Sequence, residues 1–347
     1  MITDTLIRQD LDHRTVLTDL VAGEPMTEDA SRTLFAALIA GELDDEQITA
    51  MLVALPVRRE TAAEMTGAAK ALRAAATPFP RPEYPFADSC GTGGDGSGSI
   101  NISTAAAFVA ASAGLPVAKH GNRSVTSRCG SADVLEQLGV RIDVTPEVSR
   151  RALDQTGVCF LYAPAYHPGL RHSGPARRAL GVRTIMNLLG PCVNPAAPRV
   201  QLLGVYDPAT LEPVARTIAA LGVTDALVVH GGGLDEIALH SDTQAIRLSG
   251  GAFERVTLRP EDAGLQRRPV GAVAGGDAEA NAAGLAAVLQ GRGPDAHVDA
   301  VALNAGALLM TAGLADHLAA GVALAKDRIA SGAPYAILTA FAEATRA

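Results

Sequence analysis

Residues 77–85 read Thr-Pro-Phe-Pro-Arg-Pro-Glu-Tyr-Pro and place four prolines in nine positions. Proline fixes φ, lacks a backbone donor and clashes with the preceding helical turn, so no helix can run through this stretch. The segment is also stiff. It divides the 347-residue chain into a front of residues 1–76 and a body of residues 86–347, with 77–85 as the hinge. That length exceeds the usual single domain, which agrees with two lobes.

The front has helical spacing. Leu34, Phe35, Leu38 and Ile39 form one apolar stripe, and Ile48, Met51, Leu52 and Leu55 form another. Gly41 is placed to stop the first helix, and Asp44 with Gln47 to start the next. Thr61 and Glu64 have capping-box spacing ahead of a third segment running to about Ala76. Short helices joined by tight turns pack as a small bundle. Beyond the hinge, apolar runs at Val117-Ala118, Val140–Val144, Val200–Val205 and Ala226–Val229 alternate with Ala- and Leu-rich helical stretches. The fold class that follows is α/β: a small N-terminal helical bundle lobe and a larger α/β lobe with a mostly parallel central sheet, joined by a hinge.

Composition narrows the partners. Net charge is −8 and aromatic residues are 3%, with no Trp. Polynucleotide binding needs a basic face and, for single strands, stacking platforms, so nucleic acid is not expected. No stretch of about 18 residues is free of polar groups, so no membrane span is expected. The N-terminus, MITDTLIRQDLDHR, lacks the apolar core of a secretion signal. Cys90, Cys129, Cys159 and Cys192 are widely spaced with no C-x-x-C pair, which fits free thiols in the cytoplasm.

Two segments carry chemistry. Cys90-Gly-Thr-Gly-Gly-Asp-Gly-Ser-Gly-Ser99 has five glycines from Gly91 onward, followed by Asn101-Ile-Ser-Thr104 and a helical run from Ala105 to Ala113. Glycines let backbone N–H groups approach a phosphate, and a helix N-terminus adds free donors and its dipole. Ser103 and Thr104 are placed as helix caps or as ligand contacts. The G-x-G-x-x-G match lacks a dinucleotide-site context, and the G-K-[ST] ending of a P-loop is absent. The second segment, Val117 to Ser127, brings Lys119, His120 and Arg123 together with Asn122, Ser124, Thr126 and Ser127, then Ser131, with no acid before Asp133. Cations and hydroxyls at the end of a strand suit a diphosphate and a ribose. Downstream, Asp235-Glu236 follows an apolar run and three glycines; such a pair is usually a solvated turn. His230-Gly-Gly-Gly233 has no G-x-S-x-G partner for an esterase reading. His167 and His172 have no third N or S ligand placed nearby, so packing or hydrogen-bonding roles are expected.

The stretches GTGGD, NIST and KHGNRSVTSRCGSAD together closely resemble the anthranilate phosphoribosyltransferases of tryptophan biosynthesis. The likeness continues through Ala165-Tyr-His-Pro168, Arg171-His172, Arg177, GVRTIMNLLGPCVNP (181–195) and His230-Gly-Gly-Gly-Leu-Asp-Glu236. It also spans the helical front and the hinge, and implies that helices from about 168–190 join the front lobe. The resemblance implies a donor site for phosphoribosyl diphosphate formed by Gly91, Gly94, Asp95, Ser99, Asn101, Ile102, Ser103, Thr104, Lys119, His120, Gly121, Asn122, Arg123, Ser124, Val125, Thr126, Ser127 and Ser131. Gly91, Asn122 and Arg177 would hold anthranilate, a flat carboxylate matched by a planar guanidinium fork. Ser103, Asp235 and Glu236 would hold two Mg²⁺ ions. It further implies a homodimer through the helical lobe.

On this reading the 5-phosphoribosyl group passes from phosphoribosyl diphosphate to the amine of anthranilate. That amine is neutral at pH 7, so no general base is assigned, and His120 is the candidate for orienting the acceptor. Two alternatives remain beside it: a pyrimidine-nucleoside phosphorylase-like enzyme, and a phosphoribosyltransferase for a substituted anthranilate. The second arises because Pro191-Cys-Val-Asn194 departs from the Leu-Thr that often separates Pro from Asn. Non-catalytic nucleic-acid binding would call for a basic face and eroded carboxylates, which this sequence lacks.

Overall fold

In a computed structural model of the chain, residues 12–124 and 129–346 are described. Four helices come first: α1 (His13–Val21), α2 (Glu28–Ala40), α3 (Asp45–Arg58) and α4 (Ala62–Ala74). Each starts on a side-chain cap, with full capping boxes at Asp44/Gln47 and Thr61/Glu64. Gly41 ends α2 in the left-handed region, at φ 76°. Residues 77–86 contain neither helix nor strand. Within them, Phe79 and Phe86 pack with Leu161 and Tyr166, and the Thr77 N–H donates to the Tyr166 carbonyl at 2.8 Å.

The body is built on seven strands: β1 (Ala87–Gly91), β2 (Val117–Gly121), β3 (Val158–Tyr162), β4 (Val200–Gly204), β5 (Asp225–His230), β6 (Thr243–Ser249) and β7 (Ala252–Leu258). Their order is β3-β2-β1-β4-β5-β6-β7; the first five are parallel and the last two join antiparallel. Eleven further α-helices are α5 (Ile102–Ser112), α6 (Ser131–Gln137), α7 (Pro146–Thr156), α8 (Ala163–Tyr166), α9 (Gly174–Leu180), α10 (Ile185–Cys192), α11 (Leu211–Ala220), α12 (Ala278–Leu289), α13 (Asp295–Thr311), α14 (Leu318–Ser331) and α15 (Ala333–Ala344).

Alternation along the central strands sends side chains to two separate cores. Leu202, Leu227 and Val229 pack with α5 and with α12 to α15 on one face. Leu203, Val205 and Val228 pack on the other face with α11 and the helical front. Helices α9 and α10 add Ala176, Ile185, Leu188 and Leu189 to that second core, beside α1 to α4. The chain winds outward through β2 and β3 in one direction and through β4 and β5 in the other. The reversal falls between β1 and β4, which pair in register from Ala87–Val200 to Gly91–Gly204. In a parallel sheet wound this way, the crevice beyond the carboxyl ends of those two strands is where ligands bind.

Three expectations need correction. Residues 140–144 form no strand: Val140 and Ile142 are buried in a loop, where the Val140 N–H closes α6 on the Leu135 carbonyl and the Arg141 N–H reaches Thr345 Oγ1 at 3.1 Å. Helix α5 begins at Ile102, earlier than the run from Ala105. Neither Ser103 nor Thr104 is its cap, because the cap position belongs to Asn101.

One buried acid holds the front together. Glu64 is fully buried; Oε1 accepts from the Met26 N–H at 2.9 Å, Oε2 accepts from the Thr61 N–H at 2.8 Å, and Arg58 pairs with Oε1. Glu64→Ala strands the Arg58 guanidinium and two backbone donors. Its expected cost is about 3–5 kcal/mol of stability, read from the urea midpoint, with no change in the sheet core.

Candidate functional site

The site begins with two glycines. Gly91 ends β1 and Gly204 ends β4, and at neither is there room for a Cβ: one at Gly91 would strike the Asp235 carboxylate, and one at Gly204 the Asp235 backbone. The absence of side chains lets the turn after β5 fold back over the sheet's central strands. Asp235 then accepts the Gly93 N–H at 2.7 Å, while its own N–H donates to Asp95 Oδ2 at 3.4 Å. Asp95 also accepts from the Ser97 N–H and hydroxyl, both at 3.0 Å. Gly93, Gly94, Gly96 and Gly98 all have positive φ, which explains why the loop is written in glycine.

Lys119, on β2, reaches into the same floor. Its Nζ donates to the Ser89 carbonyl and to Ser103 Oγ at 3.3 Å, and it is buried. Glu236 accepts the Ser103 N–H at 3.0 Å. Withdrawal from water, together with repulsion from Asp95 and Glu236, pushes the Asp235 carboxyl well above its ordinary range. Burial also raises Glu236, against the lowering effect of Lys119. Among the described residues, no group of three or more His, Cys, Asp or Glu side chains forms a ready-made metal cage. A hard, oxygen-only donor set short of negative-charge compensation is nonetheless what Mg²⁺ takes, since it binds through one or two carboxylates and completes its shell with water and phosphate oxygens.

The rim comes from the turn after β2. Asp133 accepts the Gly130 N–H at 2.8 Å and the Ser124 N–H at 3.1 Å, and the Asn122 carbonyl accepts the Ser131 hydroxyl at 3.3 Å. Arg123 lies exposed, donating to Asp133 at 3.2 Å and to Glu136 at 2.8 Å, with its guanidinium 5.9 Å from the Tyr162 ring centre. The expectation of an acid-free basic stretch therefore holds in sequence but not in space. Val125, Thr126 and Ser127 lie outside the described residues.

The opposite wall is built from α9 and α10, with Leu72 of α4. Arg177, on α9, is half-buried; its guanidinium has no hydrogen-bond or ion-pair partner among the described residues, and burial lowers its pKa. Leu72, Met186, Leu189 and Val193 share the wall with it. His120 Nδ1 lies 2.9 Å from the Gly190 carbonyl, its ring 5.2 Å from that of His167, whose Nε2 lies 3.1 Å from the Val193 carbonyl. A carbonyl only accepts, so each of those nitrogens carries the proton, and His120 Nε2 is left as an unpartnered buried acceptor. All the described candidates for donor, acceptor and metal line one cleft of about 290 Å³: Gly91 to Thr104, Lys119 to Ser124 with Ser131, Arg177, and the Asp235-Glu236 pair.

Several residues here escaped the sequence reading. Asp88, wholly buried on β1, accepts the His120 N–H at 3.3 Å and the Asn194 amide at 2.9 Å, tying β2 to the chain after α10. Arg183 donates to the Gly94 carbonyl at 2.7 Å and sits 4.5 Å from the centre of the Tyr206 ring. Asn281, far along the chain on α12, also lines the cleft. No local motif signals any of the three, because each bonds to residues far off in the chain: Asp88 to Asn194, Arg183 to Gly94 and Asn281 to Asn101. His230 is a fold residue, as expected for a false oxyanion motif: Nδ1 meets the Val205 carbonyl at 2.8 Å and Nε2 accepts the Gly233 N–H at 3.2 Å. The His172 ring lies against Gly41.

Burial sends the pKa of His120 down to about 3, helped by His167, and that of His167 down to about 4. The unfolded chain takes up protons below about 6.5 that the folded chain refuses, so stability is lost as pH falls from there toward 4. The slope approaches about 1.4 kcal/mol per pH unit for each ring. His167→Gln keeps a donor for the Val193 carbonyl but cannot titrate; its urea midpoint should fall less than that of the natural chain between pH 7 and pH 5.

Comparison with known proteins covers nearly the whole chain. The model of the helical bundle domain of a glycosyl transferase family matches residues 14–76, and that of the same family's a/b domain matches residues 83–335. The anthranilate phosphoribosyltransferase of Sorangium cellulosum is 56% identical over 331 residues, covering 95% of each chain. The crystal structure of anthranilate phosphoribosyltransferase from Thermus thermophilus superposes with a TM-score of 0.91 at 42% identity, over 96% of this chain and 99% of that one. The Saccharomyces cerevisiae enzyme in complex with PRPP and Mg matches with a TM-score of 0.88 at 25% identity, over 96% and 98%.

Proposed function

The chain belongs to the anthranilate phosphoribosyltransferases, and on that premise we propose that its cleft moves the 5-phosphoribosyl group of phosphoribosyl diphosphate onto the amine of anthranilate. The products are N-(5-phosphoribosyl)anthranilate and diphosphate, and the step belongs to tryptophan biosynthesis. The observation that carries this reading is the division of the cleft. An anion-binding floor of glycine N–H groups, helix N-terminus, Lys119 and acids lies beyond the ends of β1 and β4, opposite an apolar wall holding Arg177, whose guanidinium has no partner among the described residues.

The floor is the donor site. The loop from Gly91 through Gly94 and Asp95 to Ser99, with Asn101 to Thr104, receives the phosphates, and Lys119 to Ser124 with Ser131 lines the ribose and diphosphate. Val125, Thr126 and Ser127 complete the donor set by resemblance. Ser103, Asp235 and Glu236 hold two Mg²⁺ ions, which when bound neutralise charge on the leaving diphosphate. Arg177, with Gly91 and Asn122, holds the acceptor; its fork takes the carboxylate while the apolar wall takes the ring. The acceptor nitrogen bonds to C1 of the ribose as the C1–oxygen bond to diphosphate breaks, and the nitrogen then sheds a proton. His120, which lines the cleft, orients the amine; its pKa of about 3 keeps it neutral at working pH. The rest of the acceleration comes from holding both reactants in attack geometry.

The reading extends to assembly and place. The chain pairs as a homodimer through the helical lobe, where Val53 and Val57 of α3 are exposed. It acts in the cytoplasm; its four cysteines are buried, and among the described residues no helix is long and apolar enough to cross a membrane. No feature of the cleft favours nucleoside phosphorolysis over this reaction.

Anthranilate fluorescence should fall on mixing with phosphoribosyl diphosphate and Mg²⁺, with stoichiometric diphosphate release, and EDTA should stop it. Persistence of the fluorescence under these conditions would overturn the reading. Arg177→Ala should raise the acceptor KM about tenfold or more, the cost of one charge-assisted hydrogen bond, and leave the donor KM within about twofold. Equal rises would remove Arg177 from the acceptor wall.

A further inference from the structure

Asparagine is among the strongest helix N-caps, its side-chain oxygen normally taking the second or third free N–H of the helix. Asn101 stands at the cap position of α5 and makes no such bond. Its amide is committed elsewhere. Oδ1 accepts from Asn281 Nδ2 at 3.0 Å and from the Cys129 thiol at 3.6 Å, while Nδ2 donates to the Cys129 carbonyl at 3.4 Å. The result is a helix start whose Thr104 N–H has no acceptor among the described residues, opening directly into the cleft.

Asn281 is built to hold that arrangement. It is 4% exposed and uses both ends of its amide: besides gripping Asn101, Oδ1 accepts the Gly276 N–H at 2.7 Å. The strand-like strap before it lies along the glycine-rich loop. The Gly275 N–H donates to the Gly98 carbonyl at 2.7 Å, the Ile100 N–H donates to the Val273 carbonyl at 3.0 Å, and Ser99 bridges to Ala274. A Cβ at Gly275 would sit 2.7 Å from both Asn281 Oδ1 and the Ser99 carbonyl oxygen, so the strap approaches as closely as backbone allows.

We propose that Asn281 is a positioning residue for the donor: it diverts the Asn101 side chain from capping α5, so that the Thr104 N–H stays free for a phosphate of phosphoribosyl diphosphate. The role rests on the transferase reading above. Without Asn281, Asn101 swings onto its own helix and occupies the Thr104 N–H, and the 273–276 strap loosens. The acceptor wall, formed by α9 and α10 on the far side of the cleft, is untouched.

Calorimetric titration of phosphoribosyl diphosphate with Mg²⁺ into the natural chain, Asn281→Ala and Asn281→Asp tests this directly, with both KM values measured alongside. The aspartate keeps the shape and the acceptor for Gly276 but loses the donor to Asn101, so it serves if the alanine variant fails to fold. The donor Kd and donor KM should rise about ten- to a hundredfold in either variant, the range for removing a buried hydrogen-bond partner, while the acceptor KM stays within about twofold. Unchanged donor affinity, or parallel rises in both KM values with a lowered melting temperature, would reduce Asn281 to a purely structural residue. A natural chain that binds the donor but leaves anthranilate unreacted would sink the anthranilate reading, and the donor titrations would still decide the role of Asn281.

Discussion

The cleft depends on one close approach: the backbone of Asp235 lying against the last residues of β1 and β4, with no side chain between. Gly91 and Gly204 are paired neighbours in register, so a methyl group on either would lift the turn after β5 off the sheet. With the turn in place, Asp235 pins the Gly93 N–H and Glu236 pins the Ser103 N–H. One dipeptide thereby fixes both the entry to the glycine-rich loop and the start of α5. The glycine-rich loop and the N-terminus of α5 are thus held at one spacing by a single turn.

That arrangement brings three carboxylates, Asp95, Asp235 and Glu236, into mutual repulsion, offset at Glu236 by Lys119. Nearby acids withdrawn from water are costly unless neutralised. A chain of net charge −8 therefore gathers part of its acids where the proposed donor is itself anionic. The two facts conflict only if the donor arrives bare. A divalent ion shared between carboxylates and phosphate oxygens removes both repulsions at once, and this makes the acids consistent with a polyphosphate site in an acidic protein.

Much of the front was legible in sequence because its signals are local. Caps at Asp44 and Thr61 and the stop at Gly41 act over three or four residues, and each stands where its spacing placed it. The glycine loop and the basic turn were legible for the same reason, and family likeness joined them to Arg177 and the Asp235-Glu236 pair. Strands were harder. Ala87–Gly91 reads as polar because Asp88 and Ser89 occupy it, yet both are buried, Asp88 being held by Asn194 and by the His120 N–H. The apolar run at 140–144 looks like a strand and is a buried loop, for burial alone does not specify pairing. Asp88, Arg183 and Asn281 were invisible because each has a key partner (Asn194, Gly94 and Asn101) brought near only by tertiary folding.

The cations of the cleft divide into fixed and exchangeable. Lys119 is buried, with its ammonium committed to the Ser89 carbonyl and the Ser103 hydroxyl; moving it would leave a charge without partners, so its position is set before any ligand enters. Arg123 sits in solvent and pairs with Asp133 and Glu136. Exposed pairs of that kind contribute about 0–1 kcal/mol, little enough for an incoming phosphate to displace. Asp133 meanwhile keeps its hold on the Ser124 and Gly130 backbone, so releasing the guanidinium does not dissolve the turn that carries it. A rigid floor with a rim whose arginine can change partners suits a site that must bind a charged donor firmly and then let diphosphate go.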